Sequence, residues 1–243
     1  KVEERDSCMR LTVQLTAAQD VYFNYRQLLS TGYRHDNCQF YMPGFWYRRN
    51  LRSPKKAPSF HTSDSWLVRE DRLSAPLTGI FSEKEKRFMT VNRLDDFSMD
   101  ALATHKEGEI ILSGKTSLGF TGFENQQGIA MLSFGFPYRE APKSYIRKLT
   151  LAPEVEAFQL MKKGESVLLT WEIMESGADD FSDFIQHTWE HCYDTYAPKP
   201  VENSYSIADM KQVLSCFFVN SLVDNQPLVY NSGIHLKVSE PMS

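Results

Sequence analysis

The chain has 243 residues, of which 42% are hydrophobic and 13% are aromatic. This composition supplies enough apolar surface for a large core and excludes a disordered or low-complexity protein. The formal net charge of −4 offers no basic surface to nucleic acid, and no apolar run is long enough to span a bilayer. We therefore expect neither a nucleic-acid partner nor a membrane span.

Short strand patterns follow one another through most of the chain. Alternating apolar and polar side chains predict strands over 9–16 and 20–25, and an aromatic segment over 39–47, bent at Pro43-Gly44, predicts a pair of strands. Further strand patterns occur at 66–69, 87–92, 109–113, 117–123, 129–136, 145–151 and 166–174. Because no helical pattern separates them, we predict a mainly β fold: a large two-sheet antiparallel β-sandwich over 1–175, followed by two α-helices.

The hydrophobic pattern becomes helical after residue 175. Apolar side chains on one face predict a helix over 181–196, and Asp179 and Asp180 lie where the N-terminal end of a helix favours negative charge. The segment Ala197-Pro198-Lys199-Pro200 ends this helix, because proline does not continue one. We therefore predict a linker helix and a Pro-rich joint over 176–200.

A second helix is predicted over 206–225. Ser206 and Asp209 have the spacing of a capping box, in which each side chain bonds the other residue's backbone. The segment 213–219 is apolar almost all round, and a helix of that kind needs to be buried. Since little sequence follows, we expect 201–243 to be the start of a truncated helical domain, with the missing C-terminal domain of the same protein as its partner.

One helical motif has the spacing of a metal site. His187, Glu190 and His191 match the H-x-x-E-H pattern of inverted zincins, and a helix places both histidines one turn apart. The pattern fixes only three positions, however, and no recognisable motif supplies a third ligand. We therefore interpret these residues as the polar face of a packing helix and expect neither a metal nor any other cofactor.

The aromatic segment over 40–48 allows two interpretations. Its rings belong either to a core strand pair or to a platform on which the C–H faces of sugar rings stack. Strand alternation predicts Phe45 and Tyr47 on one face and Trp46 on the other. For the second interpretation, we expect Trp46 and Arg48 to be the exposed members. Tyr41, and Asp95 from a predicted loop, complete the predicted carbohydrate-binding set.

Catalytic residues cannot be assigned from the sequence. Adjacent carboxylates occur at Glu70-Asp71, Asp95-Asp96 and Asp179-Asp180. Glycoside hydrolysis needs two carboxyl groups across a cleft, whereas neighbours on a strand point to opposite faces. Adjacency is therefore no evidence for a catalytic pair.

The four cysteines match no zinc or redox spacing. Cys8, Cys38, Cys192 and Cys216 are far apart in the chain, and a disulfide scaffold of this length would hold more cysteines. Buried free thiols are one interpretation, and a single Cys8–Cys38 bridge in an oxidising compartment is the other.

The order of these elements carries a resemblance. Three features resemble those of one family: the aromatic strands at 41–47, the helix over 184–196 with its Pro-Lys-Pro joint, and the apolar helix over 206–225. This family comprises bacterial glycoside hydrolases in which an N-terminal β-supersandwich precedes an (α/α)6 toroid. The chain would correspond to the supersandwich domain and the first helices of the toroid.

This resemblance implies a function for the complete protein. Poly- or oligosaccharide would be its partner, and the catalytic residues would lie in the absent toroid, so that this chain alone is inactive. Such enzymes are typically exported, which implies a periplasmic or cell-surface location with the signal removed. Two alternatives stay open: a non-catalytic carbohydrate-binding module, and a structural protein of the cell envelope.

Overall fold

A computed structural model describes residues 1–5, 8–50, 58–95, 110–113, 116–145, 150–199, 206–221, 230–231 and 241–242. The chain divides into two compact units, Lys1–Asp194 and Thr195–Ser243. The first strands are β1 (Val2–Arg5), β2 (Cys8–Thr16), β3 (Val21–Phe23), β4 (Tyr25–Arg34), β5 (Cys38–Met42), β6 (Trp46–Arg48), β7 (Ser65–Arg69), β8 (Leu77–Ser82) and β9 (Arg87–Arg93).

The remaining elements complete the chain order. The strands are β10 (Ile110–Ser113), β11 (Phe120–Gln126), β12 (Ile129–Phe136), β13 (Arg139–Glu140), β14 (Lys143–Tyr145), β15 (Thr150–Ala152), β16 (Val155–Met161) and β17 (Ser166–Gly177). They are followed by α1 (Phe181–Tyr196), α2 (Ile207–Ser221), β18 (Tyr230–Asn231) and β19 (Pro241–Met242).

Two antiparallel sheets form the sandwich. The larger sheet has the strand order β1-β2-β17-β9-β8-β5-β6, and the smaller sheet has the order β4-β12-β11-β7. A third sheet joins β10, β16 and β13, with β3 also paired to β16; its β10–β16 pair is parallel. The prediction of a mainly β sandwich followed by two helices is confirmed.

The main core lies between the larger and the smaller sheet. Every second residue of β17 points inward, so that Leu169, Trp171 and Ile173 are buried together with apolar residues of the smaller sheet. Trp46 of β6 lies in the same core, and its ring centroid is 5.5 Å from that of Trp66. The aromatic segment therefore contributes to the core.

The helix α1 covers the outer face of the larger sheet, as a third layer. Tyr41, Phe81 and Phe88 point to this face and pack around Phe184 of α1, which is fully buried. Gly79 makes this approach possible: a Cβ at this position would lie 2.6 Å from Cζ of Phe184. The N-terminus of α1 is capped by Asp180, whose carboxylate accepts hydrogen bonds from the backbone N–H of residues 182 and 183.

The second unit contains α2 and the β18–β19 pair. The predicted capping box is present: the Ser206 hydroxyl accepts from the backbone N–H of Asp209 at 3.1 Å, and the Asp209 carboxylate accepts from the backbone N–H of Ser206 at 3.0 Å. The last four residues of the predicted helix, 222–225, lie outside the described residues. The predicted domain limits at 175/176 and 200/201 stay predictions.

Neither helix combines the length and the hydropathy needed to cross a bilayer, as judged over the described residues.

Candidate functional site

The predicted exposure of Trp46 is wrong. Trp46 is 0% exposed, and its indole N–H donates to the backbone carbonyl of Arg48 at 2.9 Å. The register pairs Trp46 with Met42, and both side chains point into the main core. A buried indole has no face for a sugar ring, so Trp46 is removed from the predicted carbohydrate-binding set.

Tyr41 is also buried, on the opposite face of the larger sheet. It is 3% exposed, and its hydroxyl accepts a hydrogen bond from the indole N–H of Trp189 at 2.8 Å. This bond attaches α1 to β5, which gives Tyr41 a packing role.

Arg48 is exposed, as predicted. Its guanidinium lies 5.0 Å from the centroid of the Phe181 ring. It lines an open cavity of ≈ 440 Å³ together with Lys86 and Asp180. Asp95 is bonded elsewhere: its carboxylate accepts from the Arg93 side chain at 3.1 Å and from the backbone N–H of Thr170 at 3.0 Å.

The H-x-x-E-H residues are directed to different partners. His187 pairs with Asp183 at 3.4 Å, and Glu190 accepts a hydrogen bond from Gln186 at 2.9 Å. His191 instead contacts the larger sheet, where its Nε2 lies 2.7 Å from Oε1 of Glu172. The helical spacing therefore places these three residues on one helix without bringing their ligand atoms together.

A different group of ionisable side chains converges at His191. Cys8, Glu172 and His191 bring one ligand atom each to within 4.8 Å of one another, and we call them the Cys-Glu-His cluster. Sγ of Cys8 lies 3.6 Å from Nε2 and 4.0 Å from Nδ1 of His191.

The sheet register explains how the cluster forms. Cys8 is opposite Met174, and Arg10 is opposite Glu172, so Cys8 and Glu172 are diagonal neighbours on the outer face of the β2–β17 pair. Arg10 remains close to Glu172, with 3.7 Å between Nη2 of Arg10 and Oε2 of Glu172. The helix α1 lies on the same face and supplies the imidazole.

The Glu172 carboxylate raises the pKa of two neighbouring groups. The hydrogen bond that His191 donates to the Glu172 carboxylate raises the pKa of His191, against the opposing effect of burial. Burial, with a further contribution from the Glu172 charge, raises the pKa of the neighbouring Cys192 thiol to about 11. Glu172 therefore contributes to the raised pKa of two α1 side chains that face the sheet, His191 and Cys192.

None of the four cysteines forms a disulfide bond, so the alternative of a Cys8–Cys38 bridge is wrong. Burial raises the pKa of Cys38 to about 12, which keeps it a neutral thiol.

A second polar feature lies on the smaller sheet. An open cavity of ≈ 410 Å³ is lined by Arg26, Glu124, Arg139 and Glu154, with Ser63 and Ser65 at its side; we call it the polar cavity. Arg26 donates to the Glu124 carboxylate, and Arg139 donates to Glu154 at 2.9 Å. These groups offer the hydrogen-bond donors and acceptors that polyhydroxylated ligands require.

The comparisons with known proteins leave the family open. No protein-family model matches this chain, and no curated protein matches it. Among solved structures, the Slr1438 protein from Synechocystis sp. PCC 6803 is similar at a TM-score of 0.35 and 7% identity, over 72% of this chain and 53% of that chain. The chain thus spans about half the length of that structure, and a likeness of this degree carries neither fold nor function.

Proposed function

We propose that this chain is the sandwich portion of a polysaccharide-processing glycoside hydrolase. In this proposal the catalytic carboxylates belong to a helical toroid that includes α2, and the complete protein acts in the periplasm or at the cell surface. The sandwich contributes to saccharide contact.

The observation that carries the proposal is the exposed apolar surface of α2. Its large apolar side chains are 40% to 72% exposed: Ile207, Met210, Val213, Leu214, Phe217, Phe218 and Val219. Its charged residues, Asp209 and Lys211, both lie near its start. Burying one such apolar side chain stabilises a fold by about 1.5–3 kcal/mol, so burial of this helix against a partner surface is strongly favoured. A helix that is apolar on most sides suits the interior of a helical domain.

The test compares two proteins: the 243-residue chain, and the product of the complete natural reading frame that contains it. Both are incubated with a panel of polysaccharides, and the release of new reducing ends is measured. We expect hydrolysis by the complete product and none by the 243-residue chain. Hydrolysis by the 243-residue chain itself, or a complete product that is inactive on every polysaccharide, would count against the proposal.

A second candidate function is a non-catalytic glycan-binding module, which the polar cavity favours. Its arginines and carboxylates alternate in a pocket of a size typical of small-ligand sites. For this candidate, we expect the 243-residue chain alone to bind an oligosaccharide without hydrolysing it.

The variant Arg139→Ala tests this candidate. Its ion-pair partners, Glu154 and Glu156, have side chains that are 50% and 25% exposed, so the substitution leaves no fully buried charge unpaired. We expect glycan-array binding to weaken in Arg139→Ala and to persist in the matched variant Arg48→Ala. The opposite result would place the glycan at the Arg48 cavity, and no binding by the wild-type chain would remove this candidate.

A further inference from the structure

We propose that the Cys-Glu-His cluster is a binding site for a divalent transition-metal ion of the zinc class. The cluster lies on the outer face of the larger sheet, away from the polar cavity of the smaller sheet. The proposal is independent of the proposed function.

One of the two distances at His191 Nε2 already fits the first coordination sphere of zinc, and the other is shorter. Tetrahedral zinc holds sulfur at about 2.3 Å and nitrogen or oxygen at about 2.0–2.2 Å, so neighbouring ligand atoms lie about 3.2–3.7 Å apart. The Cys8 Sγ to His191 Nε2 distance of 3.6 Å already falls in this range. His191 Nε2 and Glu172 Oε1 lie 2.7 Å apart and form a hydrogen bond. A bound ion would replace this hydrogen bond by one coordination bond to each residue, and the two groups would move slightly apart.

The chemistry of the donors selects the class of ion. A thiolate and an imidazole bind zinc and related borderline ions, whereas calcium and magnesium prefer ligand sets made of oxygen atoms. A carboxylate is an established third ligand in zinc sites that keep a position for water, as in the two-histidine, one-glutamate set. The His191 side chain is 28% exposed, so solvent can reach the imidazole.

The surroundings hold the ligands in place. Glu172 is fixed on the central part of β17, with its side chain only 8% exposed, and Arg10 lies beside its second oxygen at 3.7 Å. Among the described residues, the charged or ionisable groups that act on the cluster or are affected by it include Arg10, Cys192 and Asp194. Thiolate and carboxylate together neutralise a divalent ion, and Arg10 occupies the oxygen that the ion leaves free.

Metal binding would join distant parts of the chain. Cys8 lies in β2 and His191 in α1, 183 residues apart in sequence, and Glu172 lies between them in β17. An ion bound only by the folded state raises the midpoint of unfolding as its concentration increases. Because thiol and imidazolium both lose protons on binding, affinity rises with pH.

The experiment uses the 243-residue chain after treatment with a chelator and its removal. Zinc is titrated by calorimetry, and cobalt is titrated with absorption spectroscopy. We expect one ion per chain at this site, with a near-ultraviolet thiolate-to-cobalt charge-transfer band and the visible bands of four-coordinate cobalt. The urea midpoint measured with and without zinc provides an independent signal, and we expect zinc to raise it.

Three variants make the assignment specific. We expect Cys8→Ser to lose the charge-transfer band, and Cys8→Ser and His191→Gln each to weaken zinc binding more than about tenfold. The matched control is His187→Gln, on the same helix one turn earlier and 44% exposed, which should bind as the wild type does. Urea unfolding in the absence of metal checks that each variant is folded.

The proposal is overturned by any of three results: no stoichiometric binding by the wild-type chain, binding that both ligand variants retain, or loss of binding in His187→Gln to the same degree. The first result would make the cluster a set of hydrogen bonds and ion pairs that only attaches α1 to the sheet.

Discussion

Replacing Gly79 by alanine should disturb the contact between α1 and the larger sheet. A Cβ at position 79 would lie 2.6 Å from Cζ and 3.1 Å from Cε2 of Phe184. Ordinary carbon contacts begin near 3.4 Å, so the ring has to retreat. Phe184 is fully buried and packs against Phe88 and Phe81, with ring centroids 5.0 Å and 6.0 Å away, which leaves it little room.

The expected magnitude follows from two opposing contributions. Overpacking a well-filled core costs about 1–3 kcal/mol. Alanine in place of glycine within a strand recovers about 0.5–1 kcal/mol, because the unfolded chain has less backbone freedom to lose. We therefore expect Gly79→Ala to lower the free energy of unfolding by about 1–2 kcal/mol, which corresponds to a Tm decrease of about 2–8 °C for a chain of this size.

Urea denaturation followed by tryptophan fluorescence measures this change. Trp46, Trp66 and Trp171 are buried in the main core and report its unfolding. The matched control is Gly177→Ala, whose Cβ would meet its nearest neighbour, a carbonyl oxygen, at an ordinary 3.7 Å. Because this control keeps the backbone gain without the clash, we expect it to raise the free energy of unfolding by up to about 0.5–1 kcal/mol.

A double-mutant cycle isolates the contact itself. Phe184→Leu removes the Cζ atom that the new methyl group would strike, so the double variant should be more stable than the sum of the two single effects predicts, by at least about 0.5 kcal/mol. Additive effects, or a Gly79→Ala variant as stable as Gly177→Ala, would refute the close approach of α1 to β8.

Three further predictions concern the core, a buried carboxyl and α2. Trp46→Ala should cost about 3–5 kcal/mol in urea unfolding, and Tyr47→Ala, at 54% exposure, less than about 1 kcal/mol; equal effects would contradict the burial of Trp46. Burial raises the pKa of Glu70 despite its ion pair with Arg93, so the folded state keeps its proton longer and stability should fall as pH rises above the ordinary glutamate pKa. As pH rises above that value, the urea midpoint should therefore fall less in Glu70→Gln than in the wild type. An equal fall in both proteins would contradict this expectation. The 243-residue chain should associate beyond its 28.1 kDa monomer in light scattering, and Val219→Lys should reduce that association without changing the urea midpoint of the first unit.

The sequence predicted the element types better than the direction of individual side chains. Alternation correctly predicted strands around Trp46 and correctly placed Trp46 and Tyr47 on opposite faces. It could not tell which face was exposed, because the larger sheet is covered on one side by the smaller sheet and on the other by α1. Tyr41 and Trp46 are therefore both buried although they point in opposite directions. Arg48 is exposed because it lies at the end of β6.

The Cys-Glu-His cluster was beyond prediction for a different reason. Its geometry depends on the register that places Cys8 opposite Met174, and a shift of one residue would turn Cys8 into the main core. Local patterns do not fix a register between strands so far apart in sequence. One signal was nevertheless present: His191 follows Phe184 by seven residues, a spacing that places it on the buried face of α1.

The same helix links the Gly79 contact to the proposed metal site. Phe184 and His191 are two turns apart on α1, a distance of about 10 Å along the helix axis. If overpacking at Gly79 displaces the helix, the imidazole moves relative to Cys8 and Glu172, which lie on the paired strands β2 and β17. We therefore expect Gly79→Ala to weaken cobalt binding and reduce the charge-transfer band, and Gly177→Ala to leave both unchanged. If cobalt affinity stays constant while Gly79→Ala destabilises the fold, then α1 accommodates the methyl group by moving the Phe184 ring alone, and the helix does not transmit the change to its C-terminal half.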